Sequence, residues 1–113
     1  MAMVASSLAL DRVFGALADP TRRAVVRRLC AGPASVTELA RPFAMALPSF
    51  AQHLGVLERA GLVRSRKRGR VRTYALAAPR LRAAEAWIEE QRALWERRLD
   101  QLDAFLMDEP EEP

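Results

Sequence analysis

The sequence predicts a mainly α fold, about five helices closed by one small β-hairpin. Three observations carry that reading. Apolar residues recur at helical spacing along most of the 113 residues. Helix-start and helix-stop signals divide those stretches at Asp19-Pro20, Gly32-Pro33 and Gly61. One segment, about residues 62–76, instead alternates charged with small or apolar residues around Gly69.

Leu10, Val13, Phe14 and Leu17 have the i, i+3, i+4, i+7 spacing of an amphipathic first helix. Asp19 is placed to cap the second, with Pro20 at the first helical position, where a missing N–H costs nothing. Val25, Val26, Leu29 and Cys30 form its expected buried stripe, and Gly32-Pro33 end it. Ser35 to Thr37 open a third helix with Leu39, Ala40 and Phe43 inward, and Pro42 closes it or sits in its last turn.

The fourth helix runs from about Leu47 to Ala60 and stops at Gly61. Leu47, Phe50, Leu54 and Leu57 make its core stripe, while Ser49, Gln52, Val56 and Arg59 stand on the other side. Two strands follow, about 62–67 and 71–76, joined at Arg68-Gly69, where glycine supplies the positive φ of a tight turn. After Pro79 no breaker occurs until Pro110. Leu81, Ile88, Trp95 and Leu102 recur there every seven residues, flanked by Leu99 and Leu106. Such a helix is longer than the body that would cover it, so its apolar seam calls for a second copy. The expected organisation is a body over 1–80, a dimerisation helix over 81–107 and an acidic disordered tail over 108–113.

Charge is divided along the chain. Residues 1–80 hold 14 Arg/Lys and 4 Asp/Glu, net +10, whereas residues 81–113 hold 4 and 10, net −6. A polyanion therefore suits the first part only. Arg64, Arg66, Arg68, Arg70 and Arg72 alternate within the hairpin, with Lys67 the sole lysine of the chain. A helix bearing Ser49 and Gln52 followed by this basic hairpin is the pattern of a winged helix-turn-helix that reads double-stranded DNA. No apolar run is long enough to span a membrane, and the first residues lack the basic start of a signal peptide. One cysteine, Cys30, fits a reducing cytoplasm. An enzyme is disfavoured, because no catalytic pair or phosphate-binding glycine loop is present. The competing reading is a winged-helix assembly module whose basic hairpin engages an acidic protein partner.

The layout resembles the ArsR family of winged helix-turn-helix transcriptional regulators. The resemblance rests on Leu17-Ala18-Asp19-Pro20-Thr21-Arg22-Arg23, on Val36-Thr37-Glu38-Leu39-Ala40, and on Leu47-Pro48 with Gln52-His53-Leu54. Val56-Leu57-Glu58-Arg59-Ala60-Gly61-Leu62-Val63 and the Arg-Gly-Arg turn extend it over about residues 8–77. It implies a homodimeric repressor that leaves its operator when an effector, a small molecule or a protein, binds. Many similar proteins sense metals through thiolates on the third helix or Asp/His positions on the last. Here the third helix has no cysteine and the last has neither histidine nor cysteine, so the expectation is the branch without metal or cofactor.

Gln52 is the leading base reader, since its amide can pair with adenine N6 and N7. Ser49, Val56 and Arg59 share its side of the helix, and His53 lies between that side and the core. Arg66, Lys67, Arg68, Arg70 and Arg72 are assigned to phosphates or a narrow minor groove. Two positions depart from the family pattern. Ala46 stands where Ser or Thr would cap the recognition helix, and Gly55 where a basic residue is common. Arg22 and Arg23 near a helix start oppose the dipole and require a compensating anion. Cys30 reads as a small buried hydrophobe.

Overall fold

The computed structural model describes residues 2–108. Five helices and three strands are present among them: α1 (Ala2–Leu17), α2 (Pro20–Leu29), β1 (Ala34–Ser35), α3 (Val36–Ala40), α4 (Leu47–Arg59), β2 (Val63–Arg68), β3 (Val71–Leu76) and α5 (Ala78–Asp108). The hairpin expected at the centre of the chain forms, shifted by one residue. Arg68 pairs with Val71, so Gly69 and Arg70 are the two turn residues. Gly69 has φ +59° and no described non-glycine residue has positive φ, which gives the φ signs of a type II′ turn.

The sheet has a third strand that the sequence does not announce. Ala34 pairs with Tyr74 and Ser35 with Thr73, giving the antiparallel order β1-β3-β2. Two residues are too short for any alternating pattern. Ser35 also caps α3: its hydroxyl accepts from the Glu38 N–H at 3.2 Å and its own N–H donates to Glu38 Oε1 at 3.1 Å. That capping box makes a helix of five residues possible so close to Pro42.

Asp19 caps α2 as expected, accepting from the Arg22 N–H at 3.0 Å. The partner of Arg22 and Arg23 is not the anion anticipated from the sequence. Arg22 donates from Nε to the Ala16 carbonyl at 2.6 Å and from its guanidinium to Gly15 at 3.3 Å, and Arg23 donates to Leu17 at 2.9 Å. These are last-turn carbonyls of α1, which carry the negative end of its dipole. The two arginines thus staple α2 onto the end of α1.

Phe50, Leu54 and Leu57 of α4 are fully buried with Val13, Val25, Leu29, Leu39 and Leu62, so α4 lies across the middle of the core. Gly61 (φ +77°) ends it in a Schellman motif, with Gly61 N–H to Glu58 O and Leu62 N–H to Leu57 O, both 3.0 Å. Two expected core residues and one expected seam residue fall elsewhere. Leu47, the first residue of α4, is 61% exposed, because helical side chains lean toward the N-terminus and this one projects past the helix start. Cys30 is exposed, since it is the cap residue beyond the last turn of α2, and Leu29 fills the inward position. Leu81, assigned to the dimer seam, packs instead against the body's own core.

α5 begins at Ala78, three residues before the expected start, because Pro79 is tolerated in a first helical turn. Its 31 residues extend about 46 Å at 1.5 Å per residue. Its first turns lie on α1: Ala84 is buried, and Trp87 meets Phe14 edge-on with ring centroids 5.4 Å apart. Beyond Trp87 the helix leaves the body, which explains a molecule of 78 × 37 × 22 Å. Ile88, Trp95, Leu99, Leu102, Phe105 and Leu106 are all at least half exposed there. Asp108 is still helical, and the remainder of the acidic tail, 109–113, lies outside the described residues.

Candidate nucleic-acid interface

Burial of Phe50, Leu54 and Leu57 fixes how α4 is rotated, and therefore what it offers outward. Ser49, Gln52 and Arg59 are exposed on that side. Val56 is not. It is half-buried and packed against the core, beside Gly15 and Ala16 of α1, because the fourth-helix face turned toward α1 is covered. Of the residues that the sequence assigns to this side of the helix, three polar ones are thus exposed and Val56 is half-buried.

Ala46 caps α4 with no side-chain hydrogen bond, as its methyl group requires, and Pro48 sits in the first turn. The free N–H groups of that turn face whatever approaches the helix start. Gly55 lies beneath the Arg59 side chain. A Cβ placed there would lie 3.0 Å from an Arg59 guanidinium nitrogen. Arg59 therefore folds back over Gly55, and a basic group occupies the surface that a basic side chain at 55 would have served.

His53 is held from within the domain. Its Nδ1 lies 3.2 Å from an Arg22 guanidinium nitrogen and 3.7 Å from Asp19 Oδ2. The imidazole thus stands within reach of both the Arg22 guanidinium and the Asp19 carboxylate. One arginine therefore joins α4 to the carbonyl end of α1. Donation from the Arg22 backbone, then the nearby His53 and Arg22 charges, hold the Asp19 carboxyl below its ordinary 3.8.

The hairpin separates residues that the sequence groups as one basic patch. Side chains alternate across a strand, and the register sets Val63, Ser65 and Lys67 on the same face as Arg72, Tyr74 and Leu76. Arg64, Arg66 and Arg68 stand on the opposite face, with Arg70 in the turn. Arg72 is already engaged: it donates to Ser65 Oγ at 2.8 Å, and Ser65 donates to Glu58 Oε2 at 2.8 Å. That chain ties the hairpin to the last turn of α4. Burial, with the Glu58 charge nearby, raises the Tyr74 hydroxyl above its ordinary 10.0, so it stays protonated. Sequence reasoning does not place Arg64 among the DNA-binding residues, although its parity with Arg66 and Arg68 is the available signal. Asp19 and Arg22 read from the sequence as a cap and an anomaly, and nothing local links them to His53.

Residues 17–66 match a family of helix-turn-helix domains. The HTH-type transcriptional regulator Rv2034 of Mycobacterium tuberculosis is 52% identical over 66 residues, 58% of this chain. The match spans 62% of that regulator's own length, less than two thirds. The transcriptional repressor SdpR of Bacillus subtilis is 29% identical over 79 residues, 70% of this chain and 88% of SdpR. The crystal structure of an ArsR family transcriptional regulator superposes with TM-score 0.76 at 56% identity, covering 80% of this chain and 93% of that one. The chain belongs to the ArsR family. A homodimeric winged helix-turn-helix DNA-binding domain from Mycobacterium bovis, a possible ArsR-family regulator, superposes with TM-score 0.65 at 26% identity over 81% of this chain. In this member of the ArsR family α3 and α4 are the helix-turn-helix and β2–β3 the wing. No described helix is long and apolar enough to cross a membrane.

Proposed function

We propose that the chain acts in the cytoplasm as a homodimeric repressor that binds an operator in double-stranded DNA. The observation carrying this is the rotation of α4, which buries Phe50, Leu54 and Leu57 and leaves Ser49, Gln52 and Arg59 exposed beside a wing bearing Arg64, Arg66, Arg68 and Arg70. In this reading α4 enters the major groove, and Gln52 reads a base with its paired donor and acceptor. The free N–H groups at the uncapped start of α4, Ser49, and the His53 ring hold phosphates. Arg66, Arg68 and Arg70, with Arg64, follow the adjoining backbone or minor groove. Lys67 and Arg72 lie on the other face of the wing and serve mainly to hold it, Arg72 through Ser65 and Glu58.

The dimer forms through the overhanging part of α5, where Ile88, Trp95, Leu99, Leu102 and Leu106 have no cover among the described residues. Two recognition helices then reach two half-sites about one helical turn of DNA apart. Selection of bound fragments from random duplex DNA, followed by titration against salt, tests the whole reading. A two-fold symmetric consensus with a steep salt slope is expected. Equal binding to every duplex, or none, would refute it.

A further inference from the structure

We propose that the junction of α1, α4 and α5 is a binding site for a small amphipathic carboxylate, an acyl chain ending in a single anionic head. Three arginines from three elements, Arg12, Arg59 and Arg80, line one cleft of about 250 Å³ together with Leu8 and Gly61. None of the three forms a salt bridge to a carboxylate among the described residues, whereas Arg28 and Arg92 each have one. Two glycines set the arms. The Arg59 guanidinium lies on Gly55, and the stem of Arg80 crosses Gly61 so closely that a Cβ there would fall 2.7 Å from Arg80 Cγ. Three guanidiniums that converge on one cleft without a carboxylate partner among the described residues are a ready anion receptor.

The head cleft shares Ala9 and Arg80 with a second, apolar cleft of about 330 Å³ between α1 and α5. Leu10 and Val13 form one wall of that cleft and Ala83, Ala86 and Trp87 the other. Arg80 stands at one end and Glu90 at the other, about 15 Å apart along ten helical residues. The charge gradient fixes the ligand's direction: the carboxylate is drawn to Arg80, Arg12 and Arg59 and repelled from Glu90, and the chain lies over the alanines. A phosphate ion alone would leave the apolar cleft empty, and a purely apolar molecule would leave the arginines unmatched. If α4 binds DNA as proposed above, the ligand competes for Arg59, and ligand and operator weaken each other by the same factor.

Calorimetric titration of the full chain with decanoate below its micelle concentration, in the absence of DNA, tests the site independently of the DNA reading. Saturable binding of one decanoate per chain is expected, with acetate and decyltrimethylammonium failing to bind. Arg12→Gln with Arg80→Gln is expected to weaken decanoate by about tenfold or more, as for lost hydrogen bonds to a charged group. Ala86→Trp, which fills the apolar cleft from its exposed side, is expected to abolish binding and decides the matter should the arginine variant not fold. Three results overturn the site. The first is equal affinity for the cationic detergent, and the second is inorganic phosphate binding as tightly as decanoate. The third is affinity that falls as protein concentration rises, which would mean that a second copy occupies the cleft.

Discussion

Gln52 stands opposite Phe50, Leu54 and Leu57 and makes no hydrogen bond to another side chain among the described residues, so its amide is free for a base edge. Gln52→Ala should cost the preferred base about 1–3 kcal/mol and flatten preference at one position per half-site, leaving binding to unrelated DNA unchanged. Competition assays with single-base operator variants measure this. An unchanged preference profile would remove Gln52 from the base-reading set. Acid should act through different residues. Asp19, Glu38 and Glu89 all sit below their ordinary carboxyl values, held by the Arg22 and Ser35 backbone N–H groups and by the Arg92 side chain respectively. A carboxyl depressed in the folded state stabilises above its unfolded value and loses that contribution as pH falls. Melting temperature should therefore be flat near neutrality and decline as pH drops through the ordinary values of 4.5 and 3.8. Asp19→Asn should shed part of that decline. Glu38 and Glu89 are exposed and Asp19 is only half-buried, so the loss should be gradual rather than a collapse.

At the scale of elements, the two faces of the wing make distinct predictions. Arg66→Ala with Arg68→Ala should weaken binding to every duplex and lower the log K versus log salt slope by about 0.9 for each phosphate that a subunit no longer neutralises. Lys67→Ala with Arg72→Ala should change that slope less. It should instead loosen the hairpin, because Arg72 is one link of the Ser65–Glu58 chain. Equal slopes for the two double variants would mean that the register does not decide which arginines meet DNA. The helices and the hairpin were legible because their periods and breakers are local: Asp19-Pro20, Gly61 and Gly69 each act on their immediate neighbours. β1 was not, since two residues pair with β3 only after α2, α3 and the wing have met. The division of the arginines was legible in principle from strand parity. The Arg59–Gly55 and Arg22–His53 approaches depend on rotamers and on packing between elements, which the residue pattern does not encode.

Across the whole molecule, the decisive feature is an α5 that is half docked and half free. Leu81 and Ala84 join the body's core and Trp87 meets Phe14, whereas the apolar residues from Ile88 onward stay exposed among the described residues. The heptad spacing revealed the seam but not where intramolecular cover ends, because Leu81 continues the same repeat. Ile88→Glu with Leu102→Glu should therefore yield a folded monomer or an insoluble protein and abolish tight operator binding. Light scattering of the unmutated chain at tens of micromolar should give twice the chain mass, and a monomer there would sink the dimer.

The strand order β1-β3-β2 also leaves β2 with one unpaired edge, and beyond Ser35 the tip of β3 is unpaired as well. Open edges of this kind invite strand addition by neighbouring molecules, the first step toward fibrils and precipitates. On β2 the inviting backbone is flanked by Arg64, Arg66, Lys67 and Arg68, whose mutual repulsion keeps a second wing from docking on it. The same positive charges then serve two ends that pull a mutagenesis experiment in one direction. A wing stripped of them loses its hold on phosphate and its protection against self-association together. Replacing several arginines at once with Thr or Val should give turbid solutions at concentrations where Arg→Asp variants, equally unable to bind DNA, stay clear.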